Sequence, residues 1–508
     1  MTMAVIGIDV GTTGCKATLI DDSGEIGISR YIEYKANNSA LGFQEIDPNH
    51  VWESVLFVTS QCVTEHNKKE KIAAISVSSL GEAVVPLNEK GEVLGAGILY
   101  TDPRGTKEIT QLERRISRKR VMEISGIYPQ KMYSLPKMMW MKKHLPEVYN
   151  QTKYFVPFDG FILFRLGAPV HTNYSLAART MAFNVTEKKW SHEILDAAEV
   201  DSAKMPEAVM SGTVVGKISS ELALKLGIDT DTLLVAGGHD QPCAALGSGA
   251  YLPGTASDGL GSVESITPIF DKPLLNEKMA EYGFACVPHI IKDMYVTYAM
   301  SYTAGRLFKW YRDTFAKHEI LRAKAKGCSI YELLIDEMSD SITDLYMLPY
   351  LAGAATPYMD DDVRGAYIGL TLDTTPNDLI RAALEGITFE SMVNIEHLRM
   401  AGIEVKQLKA TGGMTQSDKY MQMKADMMGI EITTLECSEA GTLGAGILAA
   451  VAAGIYSNVD EAVKNVVKVG KTYMPDMNKH QDYKDKFQVY KSIYPAIKQI
   501  GGNKNGCK

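Results

Sequence analysis

Two regimes of apolar spacing alternate along the 508 residues. Short β-branched runs end at glycines, and longer stretches repeat an apolar residue at helical intervals. The first run, residues 5–10, holds one carboxylate, Asp9, and stops at Gly11-Thr12-Thr13-Gly14; a second, residues 17–20, ends at Asp21-Asp22-Ser23-Gly24. This pattern predicts a hairpin. Further strands are predicted at 72–77, 83–87, 96–100, 170–173, 233–236 and 407–410, and a second strand–glycine turn–strand unit at 257–266. Helical spacing marks 105–155, 159–166, 379–398, 443–455 and 483–500, with another helix opening near 417. The 379–398 stretch follows Thr375-Pro376-Asn377-Asp378 and stops at Gly402, so both of its ends are specified. A methionine–tryptophan stripe between 137 and 143 reads as core packing.

The first turn invites chemistry. Glycines let a backbone approach an anion, and successive N–H groups in such a turn form a nest for phosphate. Thr12, Thr13 and Lys16 add donors and charge, while Asp9 just upstream suits a hydrated magnesium ion. The glycines at 7, 11 and 14 do not follow the dinucleotide fingerprint, and what comes next reads as a strand where that fingerprint needs a helix. A Walker A loop is excluded by the missing Gly-Lys-Ser/Thr ending. An ordinary hairpin with glycines at its tip is the plain alternative.

The mid-chain unit repeats the pattern, with Gly259 and Gly261 in its turn. Two such hairpins predict two domains of one architecture facing each other, 1–248 and 249–508, each offering a turn to the nucleotide. Polar clusters at strand ends are where α/β proteins bind small molecules. Glu82, Asp102 and Arg104 stand at such ends as candidate hydroxyl ligands, against the alternative of an Asp–Arg pair in a loop. The stretch Gly237-Gly238-His239-Asp240-Gln241-Pro242 breaks a buried run before a helix opening at Gln241 or Pro242. Asp240 there is either an N-cap or a general base at the mouth of a sheet. His239 reads as structural. Gly412-Gly413 would let the backbone lie flat against adenine or ribose, or simply make a tight turn. Asp47 and Pro48 read as a helix start.

Composition acts by exclusion. Apolar residues at 45% and charged residues at 22% describe an ordinary globular chain, and a net charge of −8 leaves no footprint for nucleic acid or an anionic membrane. The 443–455 run is too short to span a bilayer comfortably and reads as a buried helix. Seven scattered cysteines without a CxxC pair argue against a disulfide framework and fit a reducing cytoplasm. No histidine spacing points to a transition metal.

Taken together these residues resemble the FGGY carbohydrate kinases, of the actin/hexokinase/Hsp70-like superfamily. The resemblance is carried by Gly365-Ala366-Tyr367-Ile368-Gly369-Leu370 with Asp378-Leu379-Ile380-Arg381-Ala382-Ala383-Leu384-Glu385, preceded by Pro349-Tyr350-Leu351-Ala352-Gly353 and Thr356-Pro357. The segment 42–52 and the Asp102/Arg104 loop match as well. It implies an α/β fold of two ribonuclease H-like domains with a cleft between them. It also implies ATP and Mg²⁺, a small-molecule sugar substrate, and no nucleic-acid or membrane partner; a homodimer is compatible with it.

By position, Asp240 resembles the family's catalytic base, Asp9 its magnesium-linked acid, and Thr12, Thr13 and Lys16 its phosphate clamp. Gly259, Gly261, Gly305, Lys309, Gly412, Gly413 and Ser417 fall at nucleotide contacts. Glu82, Tyr100, Asp102, Arg104 and Gln241 fall around the sugar. Leu80-Gly81 stands where glycerol kinases show Arg-Glu and xylulokinases Met-His, Tyr100 replaces a usual tryptophan, and Leu260 a usual threonine. The expected reaction is transfer of the γ-phosphate of ATP to a hydroxyl of a small sugar, a ketopentose first, with polyols, deoxyketoses and sugar acids open. The competing class is an actin- or Hsp70-like ATPase switch, for which the polar 78–104 loops and the Asp240 turn would be superfluous.

Overall fold

The amino-terminal hairpin seeds a six-stranded sheet. Its strands are β1 (Met3–Val10), β2 (Gly14–Asp21), β3 (Ile26–Glu33), β4 (Lys71–Ser79), β5 (Val214–Lys217) and β6 (Leu233–His239), in the order β5-β6-β4-β1-β2-β3. β1, β2 and β3 run antiparallel, whereas β4 pairs parallel with both β1 and β6. The computed structural model describes residues 2–38, 42–66, 70–436 and 439–502.

The second half repeats this order. Strands β7 (Thr255–Leu260) and β8 (Glu264–Phe270) form an antiparallel hairpin, and β7 pairs parallel with β12 (Gln407–Thr411), which pairs parallel with β13 (Glu431–Leu435). β14 (Val469–Tyr473) closes the edge antiparallel, as β5 does in the first sheet. Short strands β9 (Val287–Pro288), β10 (Tyr295–Val296) and β11 (Ala299–Ser301) extend the other side. The central strands are buried on both faces, which is why they read as continuous apolar runs rather than alternating ones.

The expected long helix is Pro376–Met400, opened by a reciprocal capping box between Thr375 and Asp378. Asp47 does cap the helix Pro48–Glu65, through a bond from the Asn49 N–H. The 443–455 run is the buried helix Ala440–Ala452, and its position is the main topological surprise. It leaves its own sheet and lies on β1, β4 and the helix Asp240–Gly247. Glycine permits this approach: a Cβ on Gly7 would meet the Thr442 carbonyl at 2.0 Å, and one on Gly444 the Cys243 carbonyl at 1.9 Å. Val5, Ile20, Leu246, Ile447 and Leu448 pack in the seam.

Some expectations need correction. The stretch 105–155 is not one helical block but four helices, Thr106–Glu113, Arg118–Ser125, Ser134–His144 and Pro146–Gln151. The strand expected at 96–100 shrinks to Gly97–Ile98, since the chain turns back on itself to bond Asp102 to the Leu99 carbonyl. The terminal helix is longer than expected, Met477–Gly502. Five cysteines are free thiols; Cys437 and Cys507 lie outside the described residues.

Candidate active site

The turn at Gly11–Gly14 joins two strands, as its spacing predicts. Val10 faces Cys15 in register, and the Gly11 N–H donates to the Gly14 carbonyl at 2.9 Å. Thr12 is half-buried and Thr13 exposed at the tip, and Tyr34 buttresses the bend by donating to the Gly11 carbonyl at 2.8 Å. Asp9 is the last residue but one of β1, beside it. Ser78 at the end of β4 donates to Asp9 Oδ1 at 2.6 Å, and burial still raises the carboxyl above its usual value. The first turn of the helix Ala440–Ala452 closes over this acid, for a Cβ on Gly441 would touch the carboxylate at 2.9 Å. Lys16 Nζ meets Glu439 at 2.7 Å, so the second half of the chain reaches into the turn of the first.

Asp240 follows β6 directly. It is the first residue of the helix Asp240–Gly247, with His239 in the extended cap position, so Asp240 is not the N-cap and the helix starts earlier than expected. A third of its side chain is exposed. Its Oδ1 lies 3.0 Å from His239 Nε2 without forming an aligned hydrogen bond. Burial first, then the carboxylates of Asp9 and Glu82, push its pKa up to about 7. Burial and Arg179 keep His239 neutral, and its Nδ1 sits 3.0 Å from the Tyr298 hydroxyl.

Glu82 is buried and paired with Arg179, whose Nε donates to Oε1 at 2.5 Å. Arg179 in turn lies over the rings of Tyr133 and Tyr298, at 5.1 and 5.2 Å. Tyr100 is 43% exposed; burial first, then the charges of Glu82 and Asp240, raise its hydroxyl above the usual value, with Arg306 from the second half opposing them. Gln241 is half-buried beside Asp240. Asp102 and Arg104 do not fit their expected role as sugar ligands. Both Asp102 oxygens are taken, Oδ1 by the Arg104 N–H and Nε, Oδ2 by the Gln44 N–H and Arg104 Nη2. Arg104 also binds Glu45 and lies over Phe43 and Trp140. With their polar atoms spent on each other, the two brace the loop from inside.

In the second half, the turn after β7 gathers three of the expected glycines. The Gly305 N–H donates to the Gly261 carbonyl at 3.0 Å, and Gly412, at φ 105°, lies against the Leu260 carbonyl. Gly259 sits within β7 opposite Thr411. Gly413, itself exposed, opens a 3₁₀ turn that buries Met414, and Lys309 is exposed on the helix Gly305–Phe315. The Ser417 hydroxyl is occupied in capping the helix Asp418–Met428, accepting from the Tyr420 N–H. Behind the turn, Lys424 bridges Asp258 and Glu264 at 2.8 and 2.5 Å, all three without solvent contact or nearly so.

Residues that sequence reading missed are Ser78, Tyr133, Arg179, Tyr298, Arg306 and Glu439. Ser78 lies in the polar strand end already singled out but is given no role there, and no spacing marks the others. The residues at the turn suit magnesium carried by nucleotide: one acid, hydroxyls and backbone N–H groups, with no group of three metal-ligating side chains among the described residues. A cavity of about 880 Å³, lined by Thr106, Tyr128, Lys131, Glu277 and Tyr302, includes none of the Asp240 group.

Two sheets of one strand order, each presenting a glycine hairpin, define a two-domain fold of the actin/hexokinase type. Residues 4–247 match the N-terminal domain, and residues 259–453 the C-terminal domain, of the FGGY family of carbohydrate kinases, and the chain belongs to that family. It is 28% identical to a xylulose kinase of Bacillus subtilis, across 98% of this chain and 97% of the relative. It is also 28% identical to a gluconokinase of the same organism, across 98% and 95%. Among solved structures, a ligand-bound xylulose kinase from Lactobacillus acidophilus superposes with a TM-score of 0.88 at 26% identity, covering 99% of both chains. A gluconate kinase from that organism gives 0.89 at 26%, covering 99% of this chain and all of that one. The chain is an ATP-dependent sugar kinase that works with Mg²⁺. No described helix is long and apolar enough to cross a membrane.

Proposed function

We propose that this kinase phosphorylates a ketopentose, in the manner of a xylulokinase, with Asp240 as the general base. The observation that carries the base is Asp240 itself. It is a partly exposed carboxylate, its unbonded Oδ1 buried against His239, close enough to Asp9 for their charges to interact, with its pKa pushed up to about 7. Phosphoryl transfer asks a protein for positioning and for neutralisation of the phosphate charge more than for covalent chemistry. Thr12, Thr13 and Lys16 would hold the phosphates, Lys16 exchanging Glu439 for the nucleotide. Asp9 would hold Mg²⁺, which when bound offsets phosphate charge. Gly259, Gly261, Gly305, Gly412 and Gly413 would line the nucleotide, with Lys309 and Ser417 at the margin. Glu82, Gln241 and Tyr100 would grip the sugar, while Asp240 takes the proton from its hydroxyl.

The xylulose kinases among the relatives support the ketopentose; the gluconokinases keep a sugar acid as the second reading. We place the domains at 1–248 and 249–508 and the enzyme in the cytoplasm; a homodimer is the proposed state, to be read by sedimentation velocity. ADP release measured across ketopentoses, polyols, deoxyketoses and aldonates tests the whole reading. Strong stimulation by a ketopentose is expected, and ATP hydrolysis indifferent to every sugar would return the chain to the ATPase-switch class.

A further inference from the structure

Glu82 adopts φ 63°, a conformation that residues bearing a Cβ rarely take. Such strain persists only where the surroundings over-determine it, and it concentrates at ligand sites. The surroundings here are specific. The Ser134 hydroxyl donates to the Glu82 carbonyl at 2.6 Å, and Arg179, flanked by Tyr133 and Tyr298, holds Oε1. Glycine would meet the backbone demand without strain, yet the chain keeps a carboxylate at this point. The preceding Gly81 lies against the His239 ring, where a Cβ would come within 2.9 Å, and His239 touches Asp240. Glu82 therefore lies close enough to Asp240 and to the Tyr100 hydroxyl for its charge to act on both.

The acids around these groups differ in their partners. Asp9 and Asp240 have no lysine or arginine paired with them among the described residues, whereas Arg179 offsets Glu82. The cations nearby are committed: Arg179 to Glu82, Lys16 to Glu439, and Lys137 to the carbonyls of Ile98 and Leu99. Arg306 is exposed at the rim by Tyr100. We propose that Glu82, fixed by Arg179, makes this site select uncharged polyhydroxy substrates and turn away sugar acids. The inference rests on the sugar-kinase reading and narrows it. A fixed carboxylate accepts hydrogen bonds from hydroxyls; a sugar carboxylate offers none in return and would be stripped of water next to like charge.

The test compares wild type, Glu82→Gln and Glu82→Gly with Mg-ATP on a ketopentose, a pentitol and the aldonates of five and six carbons. Calorimetric binding of the same compounds to each protein runs alongside. Wild type should favour the uncharged compounds by about 100-fold or more in kcat/KM. Glu82→Gln should shrink that ratio by about tenfold, partly through a gain on the aldonates, with KM for ATP unchanged. Glu82→Gly sheds the left-handed strain but leaves Arg179 buried without its acid, so it should melt below wild type and show the same loss of discrimination. Glu82→Gln, whose amide oxygen still accepts from Arg179, should melt closer to wild type; the shared loss at different stabilities separates selectivity from folding. Wild type turning over an aldonate as well as the uncharged compounds overturns the inference and leaves the kinase reading intact. So does an equal loss on every substrate in both variants. If no compound binds or stimulates ADP release, the kinase reading fails and takes the inference with it.

Discussion

Asp240 shows how little of a side chain's chemistry is carried by its identity. As a sequence letter before Gln-Pro it has the look of a helix cap; in the fold it is the first helical residue, and its charge is opposed by burial and by Asp9 and Glu82. Asp240→Asn should lower kcat by about 100-fold or more while calorimetric ATP affinity is retained. Because the base must be ionised, kcat/KM should rise through pH 7 and fall about tenfold per unit below it. The stability consequence has the opposite sense. With its pKa raised from 3.8 to about 7, the folded protein binds more protons here than the unfolded chain between those values, so stability declines as pH rises through that window. Asp240→Asn should therefore melt higher than wild type at pH 8, and the gap should close towards pH 4. A gap that widened on acidification would contradict the assignment.

Secondary-structure elements place these groups through a few buried polar contacts. Lys424 on the helix Asp418–Met428 ties Asp258 of β7 to Glu264 of β8, directly behind the glycine turn that gathers Gly261, Gly305 and Gly412. Removing the cation leaves two buried acids facing each other. Lys424→Met should cost about 3–5 kcal/mol in urea denaturation and weaken nucleotide binding. The capping box at Thr375 is a contrasting case, since it opens the helix Pro376–Met400 at an exposed point. Thr375→Ala should cost about 1 kcal/mol and leave kcat and both KM values as they were. A change in turnover from that variant would mean that the helix start is coupled to the site.

Across the molecule, the two halves do not merely face each other. The helix Ala440–Ala452 belongs to the second half by sequence and to the first sheet by packing, and it delivers Glu439 to Lys16 and Gly441 to Asp9. Any relative motion of the halves must work around this shared helix. Since no described group of three metal-ligating side chains exists, magnesium should arrive with the nucleotide. Chelation by EDTA should then abolish turnover while leaving the melting temperature of the nucleotide-free protein unchanged. A drop in that temperature would reveal a structural metal.

What could be read from the chain without coordinates was local. The two glycine hairpins, the capping box, the buried 443–455 helix and the acids at strand ends all announce themselves within a dozen residues, because backbone hydrogen bonding and apolar period act over that range. The places of Asp9, Thr12 and Asp240, within or just after a strand, were legible for that reason, since their own neighbours specify those strands. Folding settled what depends on partners far along the chain. Asp102 and Arg104 look like a ligand pair until both oxygens of the acid are seen to be spent on Arg104 and Gln44. Arg179, Tyr133 and Tyr298 carry no signal, since a guanidinium between two rings comes from three separate stretches. The raised pKa of Asp240 belongs to the same class, because desolvation and like charge are properties of where the chain has brought a group, not of the group.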